Sequence, residues 1–266
     1  MTRFATALTR SKVLAALAAA LLLGGCVAVA PDGTPRAPES AGDPERLAQV
    51  RLALAAEYLG RGQPEIALTE VKRALAARPD MPEAHALQGV IQARLGDPRQ
   101  ADESFQRALR LNPRSGETMH QYGWFLCQER RYDDAQVMFE RALAQPQYRN
   151  GMETLFWQGV CHARAGRWEA AERSLSRSYE LDPSNPVTAY NLAEVLLQRG
   201  ELERARFYAR RINSQPAQVT AQSLWLAARI EHRAGNRDDL RDLGRQLRER
   251  FPQSTETLQF ERGRFE

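Results

Sequence analysis

The sequence of 266 residues lacks the short motifs that mark common enzyme classes. HExxH, GxSxG and GxxxxGK[ST] are all absent, and the four histidines follow no catalytic pattern. The carboxylates are scattered among many arginines, a pattern that is typical of solvated helix surfaces. We therefore predict that the protein is not an enzyme, takes no cofactor and has no small-molecule substrate.

The sequence has few residues that could bind a metal. His120, Cys127, Cys161 and His162 are predicted to lie on neighbouring helices, so a shared site is conceivable. Their spacing matches no standard zinc pattern, and we predict no metal site.

A large excess of charge of one sign is also missing. The formal net charge is +4, but Arg3, Arg10 and Lys12 supply +3 of it within residues 1–25, which contain no acid. The rest has 34 basic and 33 acidic residues, a net charge of +1. Binding to nucleic acid needs a concentrated basic patch, so we predict no nucleic-acid partner.

No hydrophobic run is long enough to cross a bilayer. The longest, residues 13–23, has 11 residues, whereas a spanning helix needs about 20. Basic residues precede this run and Leu23-Gly24-Gly25-Cys26 follows it, which is typical of a signal peptide. The four residues resemble the lipobox of bacterial lipoproteins, in which the cysteine receives the lipid.

This resemblance predicts a signal peptide over residues 1–25 and lipidation at Cys26. The alternative is a plain secretory signal with an incidental cysteine. An Asp directly after the lipidated cysteine would resemble an inner-membrane retention signal, but this chain has Val27 there. We therefore expect a lipid anchor in the inner leaflet of the outer membrane, with the protein on its periplasmic face. Residues 26–47 are rich in Pro, Gly, Ala and Ser and predict a flexible tether.

From about residue 48 the sequence repeats with a period of 34 residues. A glycine, two small residues and a proline recur at fixed offsets, as in Gly62, Ala67, Ala74 and Pro79. The pattern resembles the tetratricopeptide repeat, a helix-turn-helix unit. This resemblance predicts an all-α, right-handed superhelix of about six repeats, because no single hairpin can bury its apolar face alone.

The predicted repeats cover residues 48–254. The sixth is degenerate, with Leu240 where alanine is usual. A C-terminal tail, residues 255–266, would cap the last repeat or fray. The six repeats are 48–81, 82–115, 116–149, 152–185, 186–219 and 221–254.

The first helices of such repeats line the concave face of the superhelix. At the family's groove positions this chain has a largely apolar and aromatic stripe, which could anchor a partner segment. The alternative is that tight packing buries some of these side chains. The predicted groove residues are Leu52, Val90, Trp124, Phe156, Tyr190 and Trp225.

Two cysteines remain after Cys26. Cys127 and Cys161 both fall in first helices, in repeats 3 and 4, and an exported protein meets an oxidising compartment. They could bridge the two repeats, or they could be two small buried residues. Which holds depends on whether their Cα atoms lie within about 7 Å.

Repeat 3 contains a more specific signature than the general repeat. Residues 122–127 read YGWFLC, residues 146–148 read PQY, and residues 159–161 read GVC. Within a lipoprotein of about six repeats, these segments resemble the PilF/PilW family of type IV pilus biogenesis proteins. The resemblance covers nearly the whole chain and implies a disulfide, found in some members, at Cys127 and Cys161.

The resemblance also implies a function. Family members are outer-membrane pilotins that assist localisation or multimerisation of the secretin, or that stabilise pili. The expected partner is therefore the secretin subunit of the pilus system. The alternative is another repeat lipoprotein, a scaffold for cell-wall enzymes or for outer-membrane assembly.

Overall fold

The computed structural model describes residues 43–265, which form α-helices joined by short turns and contain no strand. The predicted signal peptide, the predicted lipidation site Cys26 and most of the predicted tether lie outside these residues. The helices are α1 (Pro44–Gly60), α2 (Pro64–Ala77), α3 (Pro82–Arg94), α4 (Pro98–Leu111), α5 (Gly116–Gln128), α6 (Tyr132–Leu143), α7 (Gly151–Arg164), α8 (Trp168–Leu181), α9 (Pro186–Gln198), α10 (Leu202–Asn213), α11 (Ala221–Arg233), α12 (Arg237–Arg250) and α13 (Thr255–Glu261).

The helices pair in sequence order, and the all-α prediction is confirmed. From repeat 2 onward the two helices of each hairpin pack on one another, and the second helix also packs on the first helix of the next hairpin. The first helices α3, α5, α7, α9 and α11 lie side by side. Each hairpin thus buries the apolar face of its neighbour, as in a stacked solenoid.

The turn inside each hairpin needs a left-handed residue. Glycine occupies this position in five hairpins with φ between 71° and 78°, for example at Gly96 and Gly166. In repeat 3, Arg130 occupies this position in place of glycine, with a φ of 60°. An L-residue pays a steric penalty there that glycine does not.

Small residues let the paired helices approach closely. The repeat alanines on second helices are fully buried, including Ala67, Ala101 and Ala135. On the facing first helix, Gly159 lies so close to Leu175 that a Cβ atom there would meet its side chain at 2.6 Å. The recurring small residues therefore set the spacing of the helices.

Two segments differ from the simplest reading of the sequence. Helix α1 begins at Pro44, so the predicted tether is wrong in its last four residues. Pro44 suits the first turn of a helix, and Asp43 Oδ1 accepts a hydrogen bond from the Glu45 backbone N–H. The predicted tail contains α13, which packs on α11 and α12. Among the described residues, no helix is both long and apolar enough to cross a membrane.

Candidate partner-binding groove

The groove formed by the first helices has an aromatic centre. The rings of Trp124 on α5 and Trp157 on α7 have centroids 4.2 Å apart, and the ring of Phe156 meets Trp157 edge-on at 5.0 Å. All three are only partly buried. The guanidinium of Arg164 lies 4.8 Å from the centre of the Trp124 ring, a cation–π contact. We call Trp124, Phe156 and Trp157 the aromatic cluster.

The repeat pattern of the sequence identifies Trp124 and Phe156 but not Trp157. Trp157 falls one residue beyond the groove position that the repeat pattern defines, so the pattern alone would point it away from the concave face. The only available signal was its position next to Phe156 in a helix of the same repeat.

A cavity of about 430 Å³ opens beside the aromatic cluster, between α3 and α5. Val90, one of the predicted groove residues, forms part of its wall. A cavity of this size accommodates one or two large side chains of a partner. Its lining residues are Val90, Ala93, Arg94, Phe105, His120, Gln121, Trp124, Phe125 and Gln128.

The groove continues past α9 with polar contacts. The hydroxyl of Tyr190 donates to Glu194 at 3.2 Å, and Glu194 forms a 2.6 Å ion pair with Arg229 of α11. Burial, and then the negative charge of Glu194, raise the pKa of Tyr190 to about 12. Tyr190 is half-buried and remains a neutral donor at physiological pH. Leu52, in α1, is also partly exposed.

Trp225 does not line an open groove, and the prediction for this residue is wrong. Only 8% of it is exposed, because the end of the chain folds over it. The ring of Phe265 stacks on Trp225 at 5.2 Å, and that of Phe260 on α13 meets it edge-on at 6.5 Å. A partner segment could reach Trp225 only by displacing these rings.

A disulfide joins α5 to α7 beside the aromatic cluster. Cys127 and Cys161 are buried and bonded, with their Cα atoms 5.8 Å apart. Cys127 lies one turn after Trp124 and Cys161 one turn after Trp157. The bridge therefore ties together the two helices that hold the tryptophan pair.

The two histidines near these cysteines, His120 and His162, are buried in the packed helices. His120 is buried, and its Nδ1 lies 2.8 Å from the hydroxyl of Thr154, which also hydrogen-bonds with Tyr148 at 2.6 Å. Burial lowers the pKa of His120, and that of His162 as well. Cys127 and Cys161 are bonded to each other, so neither can serve as a thiolate ligand, and within residues 43–265 these four residues do not form a metal site.

Comparison with known proteins agrees with this architecture. Two family models, both described as tetratricopeptide repeat, match residues 52–116 and 126–186 and residues 162–239. The type IV pilus assembly protein PilF of Pseudomonas aeruginosa is 29% identical over 251 residues, which are 94% of this chain and 98% of that protein.

Solved structures of two such proteins share the fold. The crystal structure of PilW, described as a widely conserved type IV pilus biogenesis factor, has a TM-score of 0.74 at 29% identity and covers 80% of this chain and 97% of its own. A structure of Pseudomonas aeruginosa PilF has a TM-score of 0.70 at 26% identity, covering 83% and 99%. The chain therefore belongs to the tetratricopeptide-repeat proteins and, among them, to the PilF/PilW family of type IV pilus biogenesis proteins.

Proposed function

We propose that this protein is a lipid-anchored pilotin of the outer membrane that binds a segment of the type IV pilus secretin in its concave groove. Binding would assist localisation or multimerisation of the secretin. The relationship to PilF and PilW supports a role in type IV pilus biogenesis through protein interaction.

The observation that carries this proposal is the aromatic cluster beside an open cavity. Partly exposed tryptophans at the centre of a concave surface are the side chains that dominate binding energy in protein interfaces. The tryptophans are partly exposed, and the disulfide between Cys127 and Cys161 joins the two helices that carry them. A groove that is preorganised in this way loses little conformational entropy when a partner binds.

The anchor follows from the lipobox-like sequence at Leu23-Gly24-Gly25-Cys26. A lipid on Cys26 would hold the repeats at the periplasmic face of the outer membrane. If the groove binds a secretin segment before assembly, it would also keep unpaired strand edges of the secretin from pairing wrongly.

The first experiment measures the secretin in cells that lack this protein. We expect the heat-resistant secretin multimer to be lost, or to sit in the wrong membrane. A normal multimer in the outer membrane, with normal pili, would contradict the proposal and would direct attention to cell-wall or outer-membrane assembly machinery.

Groove variants then locate the binding surface. Trp124→Ala and Tyr190→Ala should reduce secretin multimers while the purified protein keeps its helical circular dichroism. Phe207→Ala is the matched control, because Phe207 is 57% exposed on the second helix α10, away from the groove. Multimers at wild-type levels in both groove variants would refute binding through the groove.

The anchor has its own test. Cys26→Ala should leave the protein unlipidated and separate the secretin from the outer membrane, even though the groove is intact. Radiolabelled palmitate incorporation into the wild-type chain, and its loss in Cys26→Ala, checks the modification itself. Lipid incorporation that persists in the variant would refute Cys26 as the site.

A further inference from the structure

One edge of the groove carries a row of arginines. Arg94, Arg164 and Arg233 are the last residues of the first helices α3, α7 and α11. We call these three residues the arginine row. The intervening first helices α5 and α9 end in Gln128 and Gln198. Because the first helices lie side by side, their last residues line the same edge of the groove.

The arginine row differs from many other arginines of the chain in its partners. Several arginines on second helices have carboxylate partners, such as Arg73 with Glu70 at 2.6 Å and Arg206 with Glu231 at 2.8 Å. Among the described residues, no carboxylate forms an ion pair with any member of the arginine row.

The contacts of the arginine row hold its guanidinium groups against the groove. Arg94 and Arg233 each donate one N–H to a backbone carbonyl of the preceding repeat, Leu59 at 3.3 Å and Leu197 at 2.8 Å. Arg164 lies over the Trp124 ring. A guanidinium has five N–H donors, so these contacts leave most of the donors free for a ligand.

Two members of the arginine row line cavities that contain no acidic residue. Arg94 lines the cavity beside Trp124, whose walls include no Asp or Glu. Arg233 lines a second cavity, of about 610 Å³, between α9, α11 and the end of the chain. Its walls again include no Asp or Glu, and they are formed by Leu197, Gln198, Arg229, His232, Arg233, Gly263 and Phe265.

The opposite edge of the groove carries acidic residues on three of its helices. Glu83, Glu117 and Glu153 lie in the first turns of α3, α5 and α7, where the helix dipole favours a negative charge. None of the three lines either cavity. An acidic ligand would therefore be attracted to the edge with the cavities and repelled from the other edge.

The second cavity also shows which side chain fits beside the arginine row. Phe265 of the chain itself lies there, with its ring stacked on His232 at 4.1 Å and on Trp225 at 5.2 Å. An aromatic ring next to Arg233 is thus already accommodated at one end of the groove. The open cavity beside Trp124 offers a similar combination of aromatic walls and an arginine.

We propose that the groove binds an extended, acidic partner segment that also carries aromatic side chains, and that its carboxylates pair with the arginine row. The inference rests on the proposed function of the groove and gives the chemistry of its partner. Carboxylates accept paired N–H donors from guanidinium groups, and aromatic side chains fill the cavities.

The test uses the full chain in detergent and a synthetic probe. The probe is a fluorescein-labelled peptide in which the unit Asp-Ser-Phe-Ser occurs three times, and binding is followed by fluorescence anisotropy. We expect binding at low salt that weakens at about 0.5 M salt, where charge pairs are screened. The same peptide with Asn for Asp should bind much more weakly.

Variants of the arginine row give the magnitude. Each of Arg94→Gln, Arg164→Gln and Arg233→Gln should weaken probe binding about fivefold, the effect of losing about 1 kcal/mol from a partly exposed ion pair. The triple variant should lose about 100-fold. A control triple variant with the same charge change, Arg107→Gln, Arg177→Gln and Arg211→Gln, alters exposed arginines of second helices and should bind normally.

The outcomes separate this inference from the proposed function. Equal binding of the Asp and Asn peptides, or equal losses in the two triple variants, would overturn the acidic partner. The same holds if a Lys-Ser-Phe-Ser peptide binds better than the Asp probe. If Trp124→Ala still abolishes secretin multimers in cells, the groove function survives such a result. Normal multimers in both Trp124→Ala and Tyr190→Ala contradict the groove function, whatever the peptide does.

Discussion

Removal of the Cys127–Cys161 bridge is the perturbation whose effect can be calculated most directly. The double variant Cys127→Ala, Cys161→Ala should fold, because α5 and α7 still pack on one another and on their second helices. It should be less stable, because the unfolded chain is no longer closed into a loop between these residues.

The expected magnitude comes from the length of that loop. The cysteines are 34 residues apart, and closing a loop of this length reduces the entropy of the unfolded chain by an amount equivalent to roughly 4 kcal/mol at 25 °C. Both residues are buried, so removing the two sulfur atoms adds a small packing cost. A domain of this kind has a total stability of about 5–15 kcal/mol, so the loss is a large fraction of it.

The loss should be concentrated where repeats 3 and 4 meet, since the stability of a repeat protein is a sum over neighbouring units. Urea unfolding followed by far-UV circular dichroism reports the whole superhelix. Two of the four tryptophans, Trp124 and Trp157, contact each other at the joint, so tryptophan fluorescence weights the joint more heavily than circular dichroism does. We expect the fluorescence transition of the double variant to occur at lower urea concentration than the transition seen by circular dichroism.

Reduction provides the matched control. Dithiothreitol should destabilise the wild-type chain by a similar amount and leave the double variant unchanged. If the variant loses less than about 1 kcal/mol, or if reduction leaves the wild-type midpoint in place, the bridge does not constrain the chain as calculated. The same variant should bind the groove partner more weakly, because the bridge holds the helices of the aromatic cluster.

Three further predictions concern single residues. Arg130→Gly should raise the stability to urea by about 0.5–1 kcal/mol, because it removes the strain of a left-handed arginine at the cost of a more flexible unfolded chain; an unchanged or lower midpoint would contradict this. Phe265→Ala should cost about 1–2 kcal/mol and shift the emission of Trp225 to longer wavelength, whereas unchanged emission would mean that the ring does not cover it. Burial lowers the pKa of His120 below 6.5, so the folded protein should lose stability as the pH drops through 6.5. His120→Asn should reduce this loss, measured as the difference between the melting temperatures at pH 7 and pH 5.

The repeat architecture could be predicted because its signals are local and periodic. A glycine in each turn and small residues at fixed helix positions act within one hairpin, so a period of 34 residues shows them directly. The exception at Arg130 did not hide the third repeat, since Ala135 and Ala142 kept the period.

The start of the first helix was harder to place from sequence. Its first residues resemble the tether in composition, and no repeat position marks them. The proline at the first position and the side chain of Asp43 favour a helix start there, but these local signals were outweighed by the composition of the segment.

The candidate site depended more on tertiary structure. Trp124 and Phe156 lie at groove positions of the repeat and were found from the sequence, whereas Trp157 gained its place in the aromatic cluster only through its contact with Trp124 on another helix. Trp225 fits the same groove pattern and is nevertheless buried, because Phe265 from the end of the chain folds over it. A repeat pattern describes each unit alone, so it cannot predict that a residue from outside the unit will bury one of its side chains.

The sequence by itself determined the helical hairpins, their number and their family, because these depend on short-range turns, small residues and a recurring period. Only the tertiary structure decided which aromatic side chains remain accessible and which arginines lack a carboxylate partner. Those properties depend on contacts between residues that are distant in the chain, and they decide what the groove can bind.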